Sequence, residues 1–247
     1  MLPRLGVAIL LLAIGLPAVS AGEANVAVAA NFTGPAEQIG AAFAAATGHG
    51  VVFSFGATGG LYAQITQGAP FDVFLAADAR HPARAVAEGH GVAGTVFTYA
   101  VGKLVLYSPT LDVSDGEAVL RAGRFTHLAI ADPTIAPYGT AAVAVIDRLG
   151  LGAALASRQV LGGNISQALQ FVESGNAELG FVALSQVIGR PAAQVWSVPE
   201  DYYPAIRQDA VLLTAGADDA AARAFMAFLH GEAAAAIIRG HGYDVPR

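Results

Sequence analysis

The chain has 247 residues, of which 55% are hydrophobic and only 13% charged, with a net charge of −6 and no cysteine. That length suits two mid-sized α/β lobes or one large domain, and the apolar content builds a full core and argues against long disordered segments. The acidic balance and the absence of a basic cluster argue against nucleic acid as a partner, and equally against a crude electrostatic trap for anions.

The first residues read as an export signal. Arg4 supplies the basic start, LGVAILLLAIGL (5–16) the apolar stretch, Pro17 the break, and Ala-Val-Ser-Ala (18–21) the small residues for cleavage, expected after Ala21. The apolar run is short for a membrane span. Without cysteine there is neither a disulfide framework nor a lipid-modified N-terminal Cys, so the expected location is the periplasm, as a soluble protein.

After residue 21, strand-like and helix-like segments alternate. Strands are expected at 25–30, 51–56, 72–77, 97–108, 127–132, 179–184, 194–199 and 205–214, as short apolar runs several of which are bounded by Gly, Pro or Asp. Helices are expected at 35–48, 59–68, 81–89, 116–123, 139–150, 165–175 and 217–240, the last with a break at Gly231. Such alternation predicts an α/β fold of mainly parallel sheets with helices on both faces. The two longest strands, FTYAVGKLVLYS and AIRQDAVLLT, are expected to cross between lobes. That gives lobe I as 22–101 and 206–247, lobe II as 102–205, two crossing segments, and a ligand cleft between the lobes. No internal sequence repeat is visible.

Most motifs exclude rather than assign. GHGVAG (89–94) has dinucleotide-site spacing, yet it follows a helix and precedes a strand, the reverse of what that site needs. There is no Walker A sequence and no G-x-S-x-G elbow. The six histidines are scattered, so no metal centre is expected. Asp201-Tyr202-Tyr203-Pro204 reads as a turn near the hinge.

One local design recurs. AANFTGP (29–35), FGATGGL (55–61), IAPYGTA (135–141) and GGNISQA (162–168) each lead from a strand into a helix, although the strand before GGNISQA is weak. Unpaired N–H groups and the helix dipole make such helix starts anion sites. None of the four contains Lys, Arg, Asp or Glu; their polar groups are neutral: Asn31, Thr33, Thr58, Tyr138, Thr140, Asn164, Ser166 and Gln167. Four helix ends supply roughly +2 of partial charge, enough to match a dianion without a formal cation. A fully ionised tetrahedral oxyanion needs donors only, whereas a protonated one also needs an acceptor. Asp132 lies near one loop, just upstream of it. Each loop alone is also an ordinary cap or turn.

These residues resemble a known family. VAVAANFTGPAEQIGAAFAAATGHGVVFSFGATGGLYAQITQGAPFDVFLAAD is similar to the N-terminal lobe of the periplasmic molybdate-binding proteins of ABC transporters, and IADPTIAPYGTAA, LGFVALSQV and AAAAIIRGHGYDVP to its later segments. The resemblance spans the chain after the export signal. It implies a periplasmic-binding-protein-like fold holding molybdate or tungstate between its lobes, with no cofactor, no catalysis, delivery to an inner-membrane ABC permease, and a monomer. Carried over by motif, the ligand positions are Ala30, Asn31, Thr58, Tyr138 and Ile165. Ile165 would donate its backbone N–H, and Tyr138 its hydroxyl, its backbone N–H or both. One branch of the family has Ser at the positions of Asn31 and Thr58, Ala in place of Tyr138 and its ligand tyrosine at the position of Ala183; this chain follows another branch. The alternatives are a receptor for sulfate or another tetrahedral oxyanion, or an enzyme on the same bilobal fold.

Overall fold

The computed structural model describes residues 21–246; the expected export signal, up to residue 20, lies outside them. In chain order, β1 (Glu23–Ala29) runs through a 3-10 turn into α1 (Thr33–Thr47), followed by β2 (Gly50–Gly56), α2 (Thr58–Thr66), β3 (Val73–Leu75), α3 (Arg80–Ala87) and β4 (Phe97–Gly102). The second half holds β5 (Leu104–Tyr107), α4 (Gly116–Ala122), β6 (Leu128–Ala131), α5 (Pro137–Arg148), α6 (Gly152–Leu155), β7 (Gln159–Gly162), α7 (Ile165–Glu173), β8 (Leu179–Ala183) and β9 (Val195–Ser197). The chain closes with β10 (Ile206–Leu212), α8 (Ala220–Leu229) and α9 (Glu232–Gly240).

Local chemistry sets these boundaries. Asp115, Asn164 and Asp219 cap α4, α7 and α8 by accepting the N–H three residues on. The expected long C-terminal helix is divided at Gly231, into α8 and α9.

Two five-stranded sheets form, in the orders β2-β1-β3-β10-β4 and β7-β6-β8-β5-β9. Both are mixed, which corrects the expectation of mainly parallel sheets. β1 pairs parallel with β2 and β3, and β6 with β7 and β8, whereas β10 and β5 pair antiparallel with both their neighbours. The antiparallel pairings arise where the chain passes between sheets, since strands there arrive from the other lobe rather than through a right-handed helical crossover. The β-α-β-α-β run from β1 to β3 is repeated from β6 to β8. The repeat is one of topology, carried by strand ends and helix starts, and sequence comparison within the chain does not reveal it.

FTYAVGKLVLYS is two strands rather than one, divided at Lys103, where the chain leaves the first sheet and enters the second. AIRQDAVLLT does not cross: β10 lies wholly in the first sheet, and the return passes through the segment 198–205, with Pro199 and Pro204. ASRQVL, the weak strand before GGNISQA, yields β7, an edge strand whose Leu161 is 51% exposed. The junction is tied together by two hydrogen bonds between the backbones of Val101 and Asp244 and by the hydroxyl of Tyr203, which accepts the Leu104 N–H at 3.1 Å.

The core follows the sheets. Buried residues on the two faces of the first sheet form separate clusters, one around Phe32, Phe43 and Phe225, the other around Tyr62, Phe71 and Phe74. The cluster of the second sheet continues across the cleft to Ala29, Ala30, Ala57 and Ala77. The lobes therefore meet through small apolar residues at the strand ends.

Candidate functional site

The four loops singled out from sequence converge. Ala30 and Asn31 after β1, Thr58 after β2, Tyr138 after β6 and Ile165 after β7 all line one cavity between the lobes, with Ala29, Gly56, Ala57, Ala77, Ala136, Pro137 and Asn164 completing its wall. No charged residue lines it. Its volume is ≈ 10 Å³, far below the several hundred Å³ of an organic-ligand site.

The loops face each other pairwise. The Gly59 N–H of the β2 loop donates to the Ile135 carbonyl of the β6 loop at 2.9 Å. Ser166 of the β7 loop donates its hydroxyl to the Ala30 carbonyl of the β1 loop at 3.2 Å. The repeated topology thus becomes an approximate twofold arrangement about the cavity.

Each loop delivers donors by a different device. Thr58 and Ile165 open α2 and α7, where backbone N–H groups have no acceptor within the helix. The Thr58 hydroxyl oxygen accepts the Ala77 N–H at 2.9 Å, which leaves its own proton free for the cavity. Pro137 occupies the first turn of α5, where its missing N–H costs nothing. The next N–H, that of Tyr138, has no acceptor among the described residues. Gly139 lets α5 start directly over β6: a Cβ there would lie 2.1 Å from the Ala131 carbonyl. Asn164 caps α7 by accepting the Gln167 N–H at 3.0 Å.

The hydroxyl of Tyr138 has a partner of its own. It reaches back to the hinge, where Gln208 Nε2 donates to it at 3.3 Å, and it lies 2.1 Å from where a Cβ on Gly102 would stand. Of the two groups open from sequence, the hydroxyl is the one engaged within the protein. Asp132 turns away as well: its carboxylate takes the N–H and hydroxyl of Thr134 at 2.9 and 2.7 Å, contacts that hold it below the usual carboxylate range.

Behind the cavity lies a buried polar network that sequence reading missed. Gln208 on β10 joins Asn31, Tyr99 and Tyr138. Tyr243 and Ser185 contact Asn31 from the C-terminal tail and the second lobe. Burial raises the Tyr99 and Tyr138 phenols well above their ordinary pKa and pushes Tyr243 up to about 12, so all three remain protonated donors. A signal for Gln208 existed, a polar residue within an otherwise strand-like run, but nothing in the sequence placed it beside Asn31.

A second, larger cavity of ≈ 420 Å³ adjoins the first and shares Ala77 and Pro137 with it. Its wall carries Asp78, Arg80 and Arg207.

A family model described as bacterial extracellular solute-binding protein matches residues 24–244. The molybdate-binding protein ModA of Rhodobacter capsulatus is 54% identical over 235 residues, covering 95% of this chain and 92% of the relative. ModA of Azotobacter vinelandii is 53% identical, covering 92% of each. A solved structure titled as a periplasmic molybdate-binding protein of Azotobacter vinelandii superimposes with a TM-score of 0.85 at 43% identity, covering 91% of this chain and all of that one. The chain belongs to the bacterial extracellular solute-binding proteins and, within them, to the molybdate-binding proteins.

Proposed function

We propose that the chain is a periplasmic receptor that captures molybdate or tungstate between its lobes and presents it to an ABC permease of the inner membrane, without catalysis. The observation that carries this reading is the charge-free cavity of ≈ 10 Å³ shared by four loops from both lobes. As the lobes stand, the cavity is far smaller than an organic-ligand site, and its wall offers neutral donors only. Donors without carboxylates suit a fully ionised tetrahedral dianion. The 54% identity to a molybdate-binding protein supports that choice among oxyanions.

In this reading residues 22–101 with 206–247 and residues 102–205 move as two bodies, and a monomer suffices. The ion meets one lobe first, and closure brings the other lobe's donors onto it. Asn31 and Thr58 donate from the first lobe, Tyr138 and Ile165 through backbone N–H from the second, with Ala30 completing the wall. Hydrogen bonds to a charged group contribute roughly 1.5–3 kcal/mol each, so a handful exceeds the ~8 kcal/mol of micromolar binding even after ordering costs.

Titration calorimetry of the purified protein with molybdate, tungstate, sulfate and hydrogen phosphate tests this. Tight binding of the first two and weak binding of the others is expected. Tight binding of hydrogen phosphate, or heat from none of the four, overturns the reading; preference for sulfate favours the sulfate receptor instead.

A further inference from the structure

Gln208 is fully buried on β10 and is not part of the cavity wall. Its amide nevertheless connects the two lobes behind that wall. Oε1 accepts from Asn31 Nδ2 at 2.9 Å and faces the Tyr99 hydroxyl at 3.1 Å, while Nε2 donates to the Tyr138 hydroxyl at 3.3 Å. Asn31 Nδ2 donates a second time, to the Tyr243 hydroxyl at 3.0 Å.

With both N–H bonds of Asn31 engaged, what its side chain offers the cavity is Oδ1. No protein donor reaches that oxygen. Among the described residues no side-chain polar atom is buried without a partner, so Oδ1 is open to the cavity. A carbonyl oxygen there repels the oxygens of a fully ionised anion and suits a protonated one.

Half-turns of both amides give a second arrangement in the same space. Gln208 Nε2 then donates to Asn31 Oδ1 and to Tyr99, the Tyr138 hydroxyl donates to Gln208 Oε1, and Asn31 Nδ2 turns to the cavity. Beside Ser185, which faces the Asn31 carbonyl and the Tyr243 hydroxyl in both, each arrangement leaves a further hydroxyl with a single proton between two acceptors. In the first it is Tyr99, between the Ala76 carbonyl at 3.0 Å and Gln208 Oε1 at 3.1 Å. In the second it is Tyr243, between the Asn31 carbonyl at 2.7 Å and Asn31 Oδ1 at 3.0 Å. A ligand that favours one polarity of the Asn31 amide selects the arrangement that presents it.

We propose that Gln208 is a positioning residue that sets which end of the Asn31 amide faces the cavity, and that it turns with Asn31 to a donor-inward state when a fully ionised tetrahedral oxyanion binds. This rests on the oxyanion reading above. Gln208 acts through Asn31 and never touches the ion. Its consequence is selectivity: donor-inward favours a dianion without protons, acceptor-inward favours a protonated oxyanion such as hydrogen phosphate.

The test compares wild type with Gln208→Glu and Gln208→Met by calorimetry with molybdate and with hydrogen phosphate. A carboxylate at 208 only accepts, so it holds Asn31 Nδ2 away from the cavity and Oδ1 inward. Molybdate affinity is expected to fall about a hundredfold, and the ratio of molybdate to hydrogen phosphate affinity by at least roughly tenfold. Mere repulsion by the new carboxylate weakens both anions alike, so an unchanged ratio overturns the proposal. Gln208→Met, neutral and of similar length, is expected to weaken molybdate about tenfold with a smaller change of ratio; wild-type affinity and ratio overturn it. A measurement on wild type stands apart from any folding defect. With molybdate bound, the Gln208 side-chain NH₂ should show nuclear Overhauser contacts to the Tyr99 ring, and contacts to Tyr138 instead overturn the proposal. If wild type binds no molybdate at all, the oxyanion reading itself falls; if it binds and the variants keep its selectivity, only the role of Gln208 falls.

Discussion

The two adjoining cavities between the lobes are built on opposite principles. The inner one, ≈ 10 Å³, is walled by backbone, small side chains and neutral donors, with no charged residue. The outer one, ≈ 420 Å³, carries Asp78, Arg80 and Arg207. Formal charge acts over a distance and is screened by salt, so it favours encounter without fixing geometry. Fixed dipoles act only at contact, and they discriminate by size and by protonation state. The contrast teaches that a wall suited to holding an anion can lie beside one that carries formal charge without sharing it.

The largest effect should come from erasing that difference. Thr58→Asp places a carboxylate in the inner cavity, and molybdate affinity measured by calorimetry should fall by about three orders of magnitude or more. Next is Gly102→Ala. Its Cβ would stand 2.1 Å from the Tyr138 hydroxyl and 2.6 Å from Gln208 Nε2, so the lobes cannot close fully. Affinity should drop roughly a hundredfold as the closed state becomes rare, and small-angle scattering should show no compaction on adding ligand.

Tyr138→Phe removes a hydroxyl that serves the hinge rather than the cavity. The loss should stay within about tenfold, the value of one neutral hydrogen bond; a hundredfold loss in calorimetry would put the hydroxyl on the ion after all. Arg80→Gln with Arg207→Gln leaves the inner wall unchanged and removes both cations of the outer cavity. Stopped-flow association at low salt should slow a few-fold with dissociation unchanged, and a faster dissociation would break the division of roles.

The smallest expected effect is that of pH. The one titratable side chain in the cavity wall is the Tyr138 phenol, which burial holds well above its ordinary value, so affinity between pH 7 and 9 should be flat in the same titrations. Stability behaves differently. The buried phenols of Tyr99, Tyr138 and Tyr243 have folded pKa values above the unfolded value of about 10. Their contribution is therefore complete below that pH and is lost as pH rises toward the folded value of about 12 for Tyr243. Melting temperature should fall above pH 10 and not before.

The inner cavity was legible in the sequence because its elements are local. A strand end, a small or neutral loop and a helix start are written in adjacent residues, as in FGATGGL, and the absence of charge is visible without knowing the fold. The α8–α9 break at Gly231 was legible for the same reason. The network around Gln208 was not, because Gln208 meets Asn31 and Tyr138 only after the chain has left the first sheet and returned. The direction of the Tyr138 hydroxyl depends on Gly102 in the same way. Mixed sheets were missed because an apolar run shows that a strand is buried and says nothing of the direction in which it arrives.

A wall without formal cations also has an outcome outside the protein. Nothing in the cavity neutralises a bound dianion by proton uptake or by a broken ion pair, so its full charge is added to a molecule whose formal charge is already −6. Loaded and empty forms should then run as separate bands in a native gel, and a membrane partner has a long-range electrical mark of occupancy beside the change of shape.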